Sequence, residues 1–282
     1  MDASPFDRVG IVGLGLIGGS VALAAKRRWP AIRITACDPA PIAREAVTQG
    51  LVEAMVDSPA GLAACELIVI ATPVQFVPGV LTELAGAKTE ALVTDTGSTK
   101  RTVMAAAQSA QELLFVGGHP VAGSEATGLG AARADLFDGR PWLLVSAHGT
   151  DQARGTSADQ TRVSSADHAR GSSAGQAREI KEAMLASFVV GLGAKPEWTD
   201  AVTHDRVMAH VTQAPHLVAT ALKPATGGND PSWQGVLETN ADFIAEALVA
   251  VAAKLPTSSS ALTDTPAVRD LLERASALKS NQ

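Results

Sequence analysis

Near the start of the chain, Gly13-Leu14-Gly15-Leu16-Ile17-Gly18 leaves bare backbone at three fixed positions. Gly13 permits a tight turn, Gly15 lets a pyrophosphate approach the main chain, and Gly18 lets a helix pack closely on the preceding strand. The unpaired N–H groups at that helix start, together with its dipole, receive negative charge. Asp38 follows twenty residues after Gly18. A carboxylate there accepts hydrogen bonds from the ribose hydroxyls of a dinucleotide and repels a 2′-phosphate. Pro39-Ala40-Pro41 offers no arginine to receive such a phosphate. Together these residues predict a bound NAD rather than NADP.

Three later stretches supply polar groups after apolar runs. Ala71-Thr72-Pro73-Val74 has a backbone suited to lie along a nicotinamide, which makes Thr72 and Pro73 cofactor candidates. Asp95-Thr96-Gly97-Ser98-Thr99-Lys100 offers a hydroxyl and an ammonium. Gly117-Gly118-His119-Pro120-Val121-Ala122-Gly123-Ser124-Glu125 offers an imidazole with room for a ligand beside it. Removing a hydride from an alcohol requires a base for the hydroxyl proton, and imidazole has the pKa for that work near neutrality. A histidine after a strand is more often a structural hydrogen-bonder; the glycines around His119 and the neighbouring Ser98 favour the catalytic assignment, with Ser98 orienting the ring.

These loops need a scaffold. Apolar runs at Val9–Val12, Ile32–Cys37, Leu67–Ala71, Ala91–Thr94, Leu114–Val116, Trp142–Ser146 and Ala194–Trp198 read as strands. Helical patterns at Ile17–Lys26, Ile42–Gln49, Val77–Leu84, Thr99–Ala110 and Glu179–Leu192 separate them. Strands without polar alternation are buried on both faces, and their alternation with helices predicts an α/β fold with a Rossmann-type, doubly wound parallel sheet. The predicted ligand edge is the carboxyl end of the strands, where all three stretches fall.

Residues 151–178 interrupt the pattern. Asp151–Ala158, Asp159–Ala166 and Asp167–Ala174 repeat an eight-residue unit, and Gly175–Arg178 begins another. Ser, Gly, Asp and Arg bury too little apolar surface to offset ordering entropy, so a low-complexity surface loop, mobile or weakly helical, is expected. Beyond Ala201 only helices are expected, at Val202–Leu222, Gln234–Lys254 and Thr265–Leu278, with a kink at Pro215. The organisation is thus an NAD-binding domain over residues 1–200 and a small all-helical domain over 201–282.

Composition narrows the class. The 282 residues carry a net charge of −6 with acids and bases interspersed, which argues against a nucleic-acid partner. The chain has no signal-like start and no apolar run of membrane-spanning length, so the expectation is a soluble, cytoplasmic protein. Cys37 and Cys65 lack metal-ligand spacing, and no metal is expected.

At Gly13–Ser20, Asp95–Lys100 and above all Gly118-His119-Pro120-Val121-Ala122-Gly123-Ser124-Glu125, the chain resembles the prephenate/arogenate dehydrogenases of tyrosine biosynthesis. Leu136-Phe137 through Arg140-Pro141-Trp142, and His204-Asp205 with Pro215-His216, extend the resemblance. It implies an NAD-dependent oxidative decarboxylation of prephenate or arogenate. It implies that His119 takes the substrate hydroxyl proton, that Ser98 bonds that hydroxyl and the histidine, that His216 lies at the substrate side chain, and that Glu125 lies at the entrance. Lys100 is a further substrate-binding candidate, and a homodimer through the helical domain is implied.

The chain also departs from the family. The usual Gly-Phe-Arg-Asp segment, whose following arginine clamps the ring carboxylate, is replaced by Lys223–Trp233, and the helical domain is shortened. Lys223, Arg206, Arg133, Arg140 and Lys100 are the cations available to replace that arginine, without a ranking. Gln213 stands where many members carry histidine. Asp205 has two readings, a bond to His204 or a helix cap. Two alternative functions stay open: a dehydrogenase for a related carboxylated cyclohexadienol, and a non-catalytic NAD-binding relative.

Overall fold

The computed structural model describes residues 3–123, 126–146, 173–222 and 231–254. They form two compact units. One comprises residues up to Gly97 and Val103–Asp200; the other comprises Ser98–Thr102 and the residues from Ala201 onward.

The first unit is built on an eight-stranded sheet. Its strands are β1 (Arg8–Val12), β2 (Arg33–Cys37), β3 (Ala54–Val56), β4 (Leu67–Ile70), β5 (Leu92–Asp95), β6 (Leu114–Pro120), β7 (Pro141–Ser146) and β8 (Lys195–Thr199), in the order β3-β2-β1-β4-β5-β6-β7-β8. The central strands β4 and β5 are buried at every residue, as their unbroken apolar runs require. From β3 to β6 all pairings are parallel. The strand order reverses between β1 and β4, which opens the crevice at the carboxyl edge where such folds bind ligands.

Two expectations need correction. The sheet is not wholly parallel: β7 runs antiparallel to β6, and β8 parallel to β7. The chain between β6 and β7 holds only a short 3₁₀ turn, Leu129–Ala131, among its described residues, and no crossover helix to return it to the same edge. Second, β6 extends through Gly117, Gly118 and His119, which the glycines had marked as loop; His119 pairs with Leu143 in register. Strand β3, only three residues long, gave too short a pattern to read.

Helices α1 (Leu16–Arg28), α2 (Ala40–Thr48), α3 (Val77–Gly86), α4 (Arg101–Ser109) and α5 (Ser173–Gly191) connect the strands. Within the core, the Trp29 ring stacks on Phe188 at 5.4 Å and Phe6 meets Phe188 edge-on at 5.9 Å. Such pairs contribute about 1 kcal/mol beyond their buried area, which ties α5 to the end of α1. Helix α5 starts at Ser173, inside the repeat and six residues ahead of the expected start at Glu179. Arg178 explains the extension, since its guanidinium bonds Glu182 one turn on at 3.0 Å and the Phe115 carbonyl at 3.0 Å. The rest of the repeat, residues 151–172, lies outside the described residues.

The second unit holds α6 (Ala201–Met208), a π-helical turn Ala209–Gln213, α7 (Ala214–Leu222), α8 (Pro231–Thr239) and α9 (Ala241–Lys254). Its apolar core comprises Ala209, Ala214, Phe243, Ile244, Ala247 and Leu248, with Leu217, Val218 and Leu237 against it. The kink expected at Pro215 takes the form of the π turn immediately before it. The wider turn accommodates the proline ring and its missing N–H. The expected helix Gln234–Lys254 breaks at Asn240, a fully buried residue whose carbonyl receives the Ile244 amide. The expected helix Thr265–Leu278 lies outside the described residues. No described helix is long and apolar enough to cross a membrane.

Candidate active site

The glycine loop joins β1 to α1 and is fixed from both sides. The Gly13 amide donates to the Cys37 carbonyl at 2.9 Å, and the Ala71 amide to the Val12 carbonyl at 2.7 Å. Gly13 has φ +93°, and a Cβ there would lie 2.7 Å from the Ala71 carbonyl oxygen. A Cβ on Gly18 would run into the Gly13 carbonyl. Gly15 is different, because nothing lies within 4 Å of where its Cβ would stand. The start of α1 has no side-chain cap and no acid in its first turn, which leaves its amides available to an anion. Leu14, Leu16 and Ile17 complete the loop.

Asp38 sits just past β2. Its Oδ2 accepts the Leu14 amide at 2.6 Å, while its Oδ1 is buried without a hydrogen-bond partner. Burial pushes this carboxyl above the usual carboxylate range, against the lowering effect of the Leu14 amide. The Thr72 hydroxyl, before Pro73 at the end of β4, is likewise buried and unpartnered. A native fold rarely leaves such atoms orphaned. Two of them flanking an open glycine cradle fit the expected dinucleotide: Asp38 toward ribose hydroxyls, Gly15 and the α1 amides toward pyrophosphate, Thr72 toward the nicotinamide end.

His119 belongs to the same sheet edge and is almost fully buried in β6. Its placement depends on a residue that sequence reasoning passed over. Asp95, at the end of β5, accepts the Gly97 amide on Oδ2 at 2.8 Å and the Gly118 amide on Oδ1 at 3.0 Å. One carboxylate thus pins the turn after β5 and the residue before His119. A Cβ on Gly118 would meet the Asp95 carbonyl, the Thr94 hydroxyl and the Trp142 indole nitrogen. The Asp-x-Gly string was the available signal, but its reach to Gly118 is tertiary.

Ser98 and Lys100 belong to the second unit, where Asp205 holds the Lys100 and Arg101 amides. The Asp205 carboxylate accepts the Lys100 amide at 2.6 Å, the Arg101 amide at 3.0 Å, and Arg101 Nε at 3.3 Å. His204 Nδ1 donates to the same carboxylate at 2.8 Å. Burial pushes the Asp205 carboxyl up, but the bonds from His204 and the Arg101 and Lys100 amides outweigh it and hold it below the usual range. Both readings of Asp205 therefore hold: it bonds His204 and it caps the Lys100 and Arg101 amides. Lys100 itself is buried. The Ser98 carbonyl accepts Gln213 Nε2 at 3.2 Å, and Gln213 Oε1 accepts Asn240 Nδ2 at 2.7 Å. Gln213 and Asn240 were not predicted as contributors. His216 is exposed on α7, and Glu125 lies outside the described residues.

The cations weighed for a substrate carboxylate differ in their engagements. Arg133 is paired with Asp135 through two bonds of 2.9 Å. Arg206 lies over the Phe243 ring at 4.7 Å. Arg140 lines an open cleft with Val121, Ala122 and Gly123, the residues that follow β6. Lys223 lies outside the described residues. No cluster of His, Cys, Asp and Glu able to hold a metal occurs among the described residues.

The family model described as the prephenate dehydrogenase nucleotide-binding domain matches residues 21–161, half of the chain. The chain belongs to the prephenate dehydrogenase family. Its likeness to that family extends past the matched segment. A prephenate dehydrogenase of Bacillus subtilis is 33% identical over 225 residues, covering 77% of this chain and 53% of the relative. One of Lactococcus lactis is 29% identical over 217 residues, covering 75% and 52%. The chain thus spans about half the length of these curated relatives. The crystal structure of prephenate dehydrogenase from Aquifex aeolicus in complex with hydroxyphenyl propionate and NAD+ superposes with a TM-score of 0.72 at 23% identity. The match covers 100% of this chain and 98% of that one, and it establishes the family's fold here.

Proposed function

We propose that the chain is an NAD-dependent dehydrogenase of tyrosine biosynthesis, converting prephenate to 4-hydroxyphenylpyruvate or arogenate to tyrosine with loss of carbon dioxide. One observation carries this reading. His119 is buried at the carboxyl end of β6, fixed through Gly118 by Asp95, on the sheet edge that also carries the glycine cradle and Asp38. Family membership and the names of the relatives support it.

Bound NAD would supply the hydride acceptor. The chain's own residues then have two tasks, orientation and the removal of one proton. His119 accepts the proton of the ring hydroxyl as the hydride leaves the same carbon. The ring carboxylate departs as carbon dioxide, its bonding electrons enter the ring, and aromatisation drives the step. Ser98 is proposed to bond the substrate hydroxyl, with Lys100, His216 and Glu125 as substrate-binding residues. Asp38 favours NAD because its carboxylate would repel a 2′-phosphate. A homodimer formed through the helical unit and a cytoplasmic location belong to the same proposal.

Mixing the protein with NAD and either substrate should produce NADH. Retained NAD binding without turnover of prephenate or arogenate would refute the proposal. His119→Asn should lower kcat by at least about a hundredfold, the usual scale for a lost general base, with NAD affinity unchanged; an unaltered rate would remove His119 as the base.

A further inference from the structure

We propose that Gln213, held by Asn240, is a positioning residue that fixes the Ser98 segment for the reaction. The proposal rests on the reading above that Ser98 meets the substrate.

The argument is one of hydrogen-bond direction. Arg101 can only donate. Its Nη2 bonds Asn240 Oδ1 at 3.0 Å, so that end of the Asn240 amide is the oxygen. Asn240 Nδ2 must then point the other way, and it donates to two acceptors, the Asp205 carbonyl at 2.8 Å and Gln213 Oε1 at 2.7 Å. This sets the Gln213 amide in turn. With its oxygen taken by Asn240, its nitrogen faces the Ser98 carbonyl and donates at 3.2 Å. Amide orientation, ordinarily ambiguous, is fixed here by a guanidinium at one end. The relay runs Arg101, Asn240, Gln213, Ser98, and reversing any member sets two acceptors or two donors face to face.

Gln213 and Asn240 are buried, with relative exposures of 1% and 0%. Gln213 closes the π turn and Asn240 interrupts what would be one helix from α8 into α9. Both are departures from regular helix, and irregular turns of this kind concentrate where side chains must be aimed. Arg101 is itself clamped, by Asp242 at 2.5 and 2.8 Å and by the Phe243 ring at 4.3 Å. The origin of the relay is therefore rigid. The Ser98 carbonyl accepts from Gln213 while the Lys100 and Arg101 amides donate to Asp205, so the segment is held from both ends.

The test compares Gln213→Met, Gln213→Glu and Ser98→Ala in the full chain, each with and without Asn240→Asp, with rates normalised to NAD-binding sites. Gln213→Met removes the relay with little change in volume, and Gln213→Glu keeps the acceptor for Asn240 while losing the donor to Ser98. Either should lower kcat about tenfold, the scale of one neutral hydrogen bond, while KM for NAD stays within twofold. Adding Asn240→Asp to Gln213→Met should lower kcat no further, because both act through one element. A kcat per NAD site within twofold of the parent in whichever Gln213 variant folds would overturn the proposal. So would losses that multiply in the double variant. Ser98→Ala at the parent rate would instead overturn the assignment of Ser98, leaving the His119 reading intact.

Discussion

Asp38 holds one carboxylate oxygen on the Leu14 amide and keeps the other buried without a partner. A ribose hydroxyl would supply the missing donor, and the ionised carboxylate offers both oxygens as charge-assisted acceptors, whereas protonation removes the charge and turns one oxygen into an O–H donor. Burial raises this carboxyl's pKa, so protonation begins at a higher pH than for an ordinary aspartate. NAD affinity should therefore weaken on acidification from above the usual carboxylate range, and Asp38→Asn should bind NAD more weakly and lose that pH dependence. Titration of NAD binding against pH checks both; a parallel decline in the variant would place the titrating group elsewhere. Residues of this kind were legible in the sequence because their reason is local. Gly13, Gly15, Gly18 and Asp38 follow one strand and the next at a spacing set by backbone geometry. Asp95, Gln213 and Asn240 were not legible, since no strand-and-turn spacing ties any of them to the distant partner it holds.

At the scale of elements, β6 shows how glycine misleads a reading. Gly117 and Gly118 suggested a loop, yet both lie in the ladder with β7. Gly118 is there because the Asp95 carbonyl, Thr94 and Trp142 occupy the space a side chain would need. The Asp95 carbonyl cannot swing aside as a flexible side chain would. Gly118→Ala should thus destabilise the fold by about 1–3 kcal/mol, the usual range for overpacking, and should reduce kcat more than NAD affinity because His119 is the next residue. Denaturant unfolding together with NAD titration separates the two effects. The strands of the sheet centre were readable from unbroken apolar runs. The direction of β7 was not, because strand orientation depends on the connection rather than on the strand's own pattern. The same holds for the break at Asn240, where a helical periodicity continued through a residue chosen for its amide.

At the scale of the whole molecule, the buried charge at Asp205 links folding to pH. Its folded pKa lies below the ordinary value near 3.9. The ionised form is therefore favoured by folding, and this contribution is fully present above the unfolded pKa. It is lost as pH falls from there through the depressed folded value. Acid unfolding of the parent should steepen in that window, and Asp205→Asn should be less stable at neutral pH with a flatter acid limb. Equal acid limbs for the two proteins would mean that Asp205 carries no such linkage. The sequence placed Asp205 beside His204 but left its partners open, because the Lys100 and Arg101 amides come from a segment about a hundred residues earlier.

That segment has a consequence for how such proteins can be recombined. Residues 98–102 sit in the middle of the sheet-forming sequence yet have their hydrogen-bond partners after residue 200. A chimera joined at residue 200 between two relatives would pair one parent's segment with the other's Asp205, Gln213 and Asn240. Exchange is coherent only when both pieces travel together, so the second unit moves as a matched set although the chain order splits it into two separated blocks.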